Sequence, residues 1–177
     1  MPLKGKRIAI LVEEGFEDLE YWVPFMRLQE AGTEVFSVGP KRGAVVRSKS
    51  GGLTAEVMRA AEDVQASEVD AVVVPGGWAP DKLRRYPAVV GLVRGAHEQG
   101  KVVGMICHAG LVGISAGIVR GRRATGSLGI KDDLVNAGAR WEDTAAFRDG
   151  NLVWGRVVPD IPDFCRELVA ALTDSAA

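Results

Sequence analysis

The stretch KVVGMICHAG, residues Lys101 to Gly110, decides the fold. Lys101 to Ile106 carries an apolar run with no alternation. Such a run reads as a strand buried on both faces, the kind that parallel sheets require. Small residues follow Cys107 and His108, and His108 to Gly117 reads as a helix of small residues. Cys107 therefore stands where a buried strand turns directly into a helix. Mechanically this is a nucleophile elbow with Cys in place of Ser. The corner faces a thiol towards the positive end of a helix and its free N–H groups, which predicts a pKa below that of free Cys.

Working outward, Ile8 to Val12 and Asp70 to Val74 repeat the unbroken apolar pattern, and Thr33 to Val38 is a further strand. Glu17 to Ala31 predicts a helix with Leu19, Trp22, Val23, Met26 and Leu28 on its apolar positions, stopped by Gly32. Pro24 inside it predicts a kink or local break. Arg42 to Glu56 is Gly- and Ser-rich and predicts a small hairpin excursion. Pro87 to Gln99, Ile130 to Asn136 and Asp160 to Thr173 read as helices. Thr144 to Phe147 and Leu152 to Trp154 flank Asp149-Gly150-Asn151 as a hairpin. This alternation specifies an α/β sandwich around a mostly parallel sheet. In such folds chemistry sits beyond the carboxyl ends of the strands.

Composition narrows the function classes. A chain of 177 residues fits one domain, residues 1–177, and can bury a full core. Lys and Arg total 22 against 23 Asp and Glu, so no basic field points to nucleic acid. No apolar run is long enough for a membrane span. Two Cys, Cys107 and Cys165, and two His, His97 and His108, form neither a disulfide framework nor a metal motif. No Walker A loop or GxGxxG suggests a nucleotide, so no cofactor is expected. The N-terminal residues show no signal-peptide core, which predicts a cytoplasmic protein with reduced thiols.

Three loops lie beyond predicted strands: Glu13 to Glu17, Pro75 to Trp78, and Cys107-His108. Gly76 and Gly77 let backbone approach a ligand, and their N–H groups, with that of His108, are candidates for an oxyanion hole. Trp78 is a candidate pocket wall. Glu17, poorly solvated and close to a thiolate, is expected to stay protonated and donate a hydrogen bond to sulfur. Its competing role is complementing the helix dipole together with Asp18 and Glu20. Glu13 and Glu14 are weaker candidates. His108 is the available base, although adjacent residues of a regular helix do not face each other. His97, roughly 20 Å away at the far end of the strand, reads as a surface residue. Cys165 reads as core.

Several of these segments, taken in order, resemble the ThiJ/PfpI family. They are Phe16 to Glu20, Pro75 to Asp81, Ile106 to His108, Ile114 to Gly117, Arg120 to Arg122 and Ile130 to Asp133, and the likeness runs from Arg7 to about Leu172. The resemblance points to the PfpI-type, cysteine-peptidase-like branch of the class I glutamine-amidotransferase-like superfamily. It implies a flavodoxin-like three-layer sandwich, Cys107 as nucleophile, Glu17 as the protonated carboxyl and His108 beside the nucleophile. It also implies Asp81 as a carboxylate offered to a neighbouring subunit, and self-association as a dimer or hexamer. The activities implied are peptide hydrolysis or deglycase and glyoxalase action on a small carbonyl substrate, with a stress-response redox or chaperone-like role through Cys107 as the alternative. Two features depart from the family pattern. Ala109-Gly110-Leu111 stands where many peptidase-like members carry Gly-Pro and a polar or aromatic residue, and Asp81 stands where they often carry Glu. Glutaminase chemistry, which resembles enzymes with a downstream His, is disfavoured because none follows His108.

Overall fold

The computed structural model describes residues 3–175. In chain order the elements are β1 (Arg7–Leu11), α1 (Asp18–Glu30), β2 (Glu34–Gly39), β3 (Val45–Arg47), β4 (Thr54–Glu56), β5 (Arg59–Ala60), β6 (Ala71–Val74), α2 (Ala79–Leu83) and α3 (Pro87–Glu98). There follow β7 (Val102–Ile106), α4 (Gly110–Ala116), β8 (Arg123–Ala124), α5 (Lys131–Asn136), β9 (Arg140–Trp141), β10 (Ala146–Asp149), β11 (Leu152–Gly155) and α6 (Ile161–Asp174). Seven strands form the central sheet in the order β10-β11-β7-β6-β1-β2-β5. All neighbours run parallel except β10 and β11, whose hairpin sets Phe147 opposite Trp154.

The unbroken apolar runs are buried along their length, as the parallel pattern demands. Ala71 to Val74, and Val102, Val103, Met105 and Ile106, are each at most 1% exposed. Helices cover both faces. A Cβ at Gly104 would lie 2.6 Å from Leu168, so α6 rests directly on β7. Met105, pointing to the opposite face, meets α4 at Gly113. The result is the flavodoxin-like sandwich, with the carboxyl ends of β1, β6 and β7 side by side in register.

Three expectations need correction. Helix α1 runs unbroken through Pro24, which is buried. The residues that α1 buries are Glu20, Tyr21, Pro24 and Leu28, whereas Leu19, Val23 and Met26 are exposed at 47%, 39% and 60%. The apolar stripe read from the sequence is thus largely the solvent face. Finally, the small-residue helix does not begin at His108. A 3-10 turn, Cys107–Ala109, comes first, and α4 ends at Gly117 in the left-handed conformation. The hairpin excursion forms as expected, with Val46 opposite Ala55.

Candidate active site

The site gathers at the carboxyl ends of β1, β6 and β7. Cys107 has φ 61, the one positive φ at a non-glycine position among the described residues. A side chain in this region costs roughly 1–3 kcal/mol and persists only where its surroundings hold it. Here strand β7 and the 3-10 turn fix both sides of the corner. The Cys107 carbonyl accepts from Ser127 N–H at 3.2 Å, which ties the turn to the segment after β8.

The corner solves the problem of adjacent residues. Because the chain is not yet in a regular helix, His108 Nδ1 lies 3.3 Å from Cys107 Sγ. His108 is half-buried, and burial first, then the charge of Lys49, hold its pKa below the ordinary value. It is therefore neutral at pH 7 and able to accept a proton.

The buried carboxyl at the sulfur is Glu20, not Glu17. Glu20 is fully buried, and its Oε2 accepts from Gly76 N–H at 2.7 Å. Its Oε1 is buried without a hydrogen-bond partner. Burial, then the neighbouring Glu17 charge, raise Glu20 to about 7. Glu17 instead caps α1, where its Oε2 accepts from Leu19 N–H and Glu20 N–H, both at 2.8 Å. Its competing role as a helix-end charge is the one the structure displays. A signal for Glu20 was present in the sequence. It shares the i, i+4, i+8 row with Pro24 and Leu28, so an acid stands in the buried stripe of an amphipathic helix.

The glycine pair divides its tasks. Gly76 N–H is taken by Glu20, so the expectation of a free oxyanion donor there is corrected. Gly77 has φ +81, and a Cβ on it would lie 2.5 Å from both Glu17 N and Gly15 O. Only glycine fits, and its N–H, with that of His108, acts on the Cys107 sulfur. Burial and the carboxylate of Glu20 push the Cys107 thiol up, while these two N–H groups pull it down. The expected lowering is thus only part of the balance.

Trp78 is 60% exposed, and its N–H donates to Gly15 O at 2.8 Å, which fixes it at the rim. Asp81 lies exposed on α2, pairs with Arg85, and is not brought to His108 within the chain. His97 is half-buried with its Nδ1 unpartnered, which corrects the reading of a surface residue. Cys165 is buried in α6 as expected. It lines a groove of about 360 Å³ with Val23, Arg27, Pro162 and Arg166, away from Cys107. Among the described residues, no three His, Cys, Asp or Glu side chains group as a metal site. No described helix is long and apolar enough to cross a membrane.

Residues 6–171 match the model of the DJ-1/PfpI family. The chain belongs to the DJ-1/PfpI family. It is 42% identical over 166 residues to a deglycase of Pyrococcus abyssi, covering 94% of this chain and 99% of that protein. It is 37% identical over 169 residues to general stress protein 18 of Bacillus subtilis, covering 95% and 98%. Among solved structures, a two-domain protein of Anabaena variabilis with DJ-1/ThiJ/PfpI-like and ferritin-like domains superposes with TM-score 0.93 at 41% identity. That match covers 94% of this chain and 48% of the other.

Proposed function

We propose that this chain is a PfpI-type hydrolase that uses Cys107 to attack a carbonyl, with deglycase action on glyoxal-type adducts as its foremost activity and peptide hydrolysis as the related one. The observation that carries this reading is the convergence of Glu20, His108 Nδ1 and two backbone N–H groups on one sulfur at a strained corner. Deglycase-named relatives of nearly equal length support the same reaction class.

Two groups that share a buried space do not both ionise. Burial and the Glu20 charge keep the proton on the resting Cys107 thiol; once Glu20 is itself protonated, at its open Oε1, the thiol proton passes to His108 Nδ1. Protonation turns Glu20 from a repelling charge into a hydrogen-bond donor, and the charge settles on sulfur. The thiolate attacks the carbonyl carbon, a C–S bond forms, and the C=O π pair moves to oxygen, where the Gly77 and His108 N–H groups receive it. The oxyanion re-forms the C=O and expels the amine or thiol of the acyl substrate, which takes its proton from His108. Water then adds to the carbon bound to sulfur and yields a proton to His108, and the C–S bond breaks with its electron pair returning to Cys107. A carboxylate that orients His108 comes in this reading from Asp81 of a second copy, in a dimer or hexamer. The compartment is the cytoplasm, where reduced thiols persist.

The test is turnover of the methylglyoxal adduct of N-acetylcysteine and of a fluorogenic peptide by the intact chain and by Cys107→Ser. Loss with Cys107→Ser supports the reading, and turnover that persists removes it. The open Oε1 of Glu20 also favours a second reading, a stress-response sensor in which peroxide oxidises Cys107 to a sulfinic acid held by Glu20. Mass gain at Cys107 under mild peroxide, with neither substrate turned over, selects it.

A further inference from the structure

The β3–β4 excursion, which the sequence marks only as Gly- and Ser-rich, is tied down over the active site. Phe16 bridges to Ser48 on one side and to Gly77 on the other. The segment Ser48-Lys49-Ser50 therefore lies two hydrogen-bonded rows from the N–H that acts on Cys107, roughly 10 Å at the usual strand spacing. Its hold is unusually complete for a loop. Lys49 N–H donates to Phe16 O at 2.7 Å, Ser48 Oγ donates to Asp18 Oδ1 at 2.8 Å, and Ser50 N–H donates to Asp18 Oδ2 at 3.2 Å. Ser50 Oγ also donates to Asp18. On the strand side, Arg47 N–H donates to Glu14 Oε2 at 2.9 Å and Gly15 N–H donates to Arg47 O at 2.8 Å.

The outcome of this clamp is the placement of one ammonium. Lys49 Nζ sits 5.7 Å from the centre of the Trp78 ring, at the rim of the site. Among the described residues no carboxylate pairs with it. The nearby acids are already engaged: Asp18 by two serines, Glu17 by the α1 N–H groups, and Glu14 by Arg47 N–H. Across the space above Cys107, the Lys49 charge acts on both Glu20 and His108. An exposed, unpaired cation held over an aromatic ring at the mouth of a nucleophile is an anion-recognition element whose backbone is already ordered by the fold.

We propose that Lys49, held over Trp78, forms a subsite for a carboxylate on the molecule that Cys107 attacks, so that the site prefers anionic carbonyl compounds over neutral ones of the same size. This rests on the hydrolase reading for its substrates but not for its test.

Iodoacetate and iodoacetamide alkylate a thiol by the same displacement of iodide and differ in charge. Their rate ratio at Cys107, measured at low salt in a Cys165→Ala background and divided by the ratio at glutathione, reads the subsite without turnover. About a tenfold preference for iodoacetate is expected, shrinking as salt approaches 1 M. Lys49→Met is expected to bring the ratio to within about twofold of glutathione, and Lys49→Arg to restore it. An unchanged ratio in Lys49→Met overturns the proposal. Turnover of glyoxylate against methylglyoxal is the companion measurement. A ratio of kcat/KM that falls about tenfold in Lys49→Met extends the subsite to substrates. No turnover of either compound by the intact chain, with the alkylation preference present, removes the hydrolase reading and leaves the subsite standing. Turnover of both with an alkylation ratio indifferent to Lys49 does the reverse.

Discussion

The two cysteines are both mostly out of water, and burial pushes both thiols up, Cys165 to about 11. What separates them is the backbone around each. Cys165 sits within regular helix α6, where its own N–H is committed to the helix and the charge that acts on it is that of Arg27. Cys107 sits at positive φ, where the chain has left the strand and has not yet entered α4, so backbone N–H groups remain available to the sulfur. Burial alone makes a thiol inert, and a thiol becomes a nucleophile when the fold supplies donors at that buried point. The largest expected effect breaks this contrast directly. Cys107→Ser is expected to lower adduct turnover on the order of 10³-fold or more, while Cys165→Ala keeps it within about twofold.

The donors themselves can be removed next. Gly77→Ala places a methyl against the backbone of Gly15 and Glu17 in a conformation that L side chains rarely adopt. The expected cost is roughly 3 kcal/mol in a urea titration, together with slower alkylation of Cys107. Loss of less than about 1 kcal/mol would show that this loop gives way easily, and the Gly77 N–H would then lose its claim as a fixed donor.

Glu20 sharpens the contrast further, since Cys165 has no carboxyl against it. Raised to about 7, Glu20 keeps its proton in the folded chain where the unfolded chain, with its ordinary value of 4.5, has released it. The folded state then binds more protons, so stability falls as pH rises from about 4.5 to about 7 and levels off above that. The gap corresponds to about 3 kcal/mol. Glu20→Gln keeps an acceptor for Gly76 N–H and a donor for sulfur without a charge. Its stability curve is expected to lack this fall. Its Cys107 alkylation midpoint is expected to fall, because Gln removes the carboxylate charge that pushes the thiol up and leaves a neutral donor at the sulfur. A midpoint that does not move would mean that Glu20 is already neutral while the sulfur ionises.

The same residues mark how far the sequence could be read. Unbroken apolar runs at Ile8, Asp70 and Lys101 were enough to place β1, β6 and β7, because a parallel strand buried on both faces has few other ways to be written. The elbow at Cys107 was legible for the same reason, since strand and small-residue helix meet at one residue. The identity of the buried acid was not. Four glutamates, at positions 13, 14, 17 and 20, crowd the end of β1, and the choice among them depends on how α1 rolls against the sheet. Leu19, Val23 and Met26 suggest one roll, while the packing of Tyr21 under Phe16, with ring centres 5.0 Å apart, sets another. Lys49 was hidden more deeply. Its position follows from hydrogen bonds between segments 30 or more residues apart, for which a single sequence carries no periodic signal.

Glu17 and Glu20, one helical turn apart, yield the smallest effect and separate a cap from a charge. Glu17 caps α1 through its carboxylate, and that same charge holds up the pKa of Glu20. Serine is a good N-cap without a charge. Glu17→Ser is therefore expected to leave stability at neutral pH within about 0.5 kcal/mol. Removal of a negative neighbour makes ionisation of Glu20 easier, so its midpoint is expected to fall by less than about one unit. The onset of the pH-dependent stability loss is unchanged, because the unfolded value is the same, but the loss ends at lower pH and is smaller. Were Glu17 the acid that serves the sulfur, Glu17→Ser would instead shift the alkylation midpoint of Cys107 as far as any change at Glu20 does. Comparing the two midpoints in one experiment decides which of the two acids the cysteine depends on.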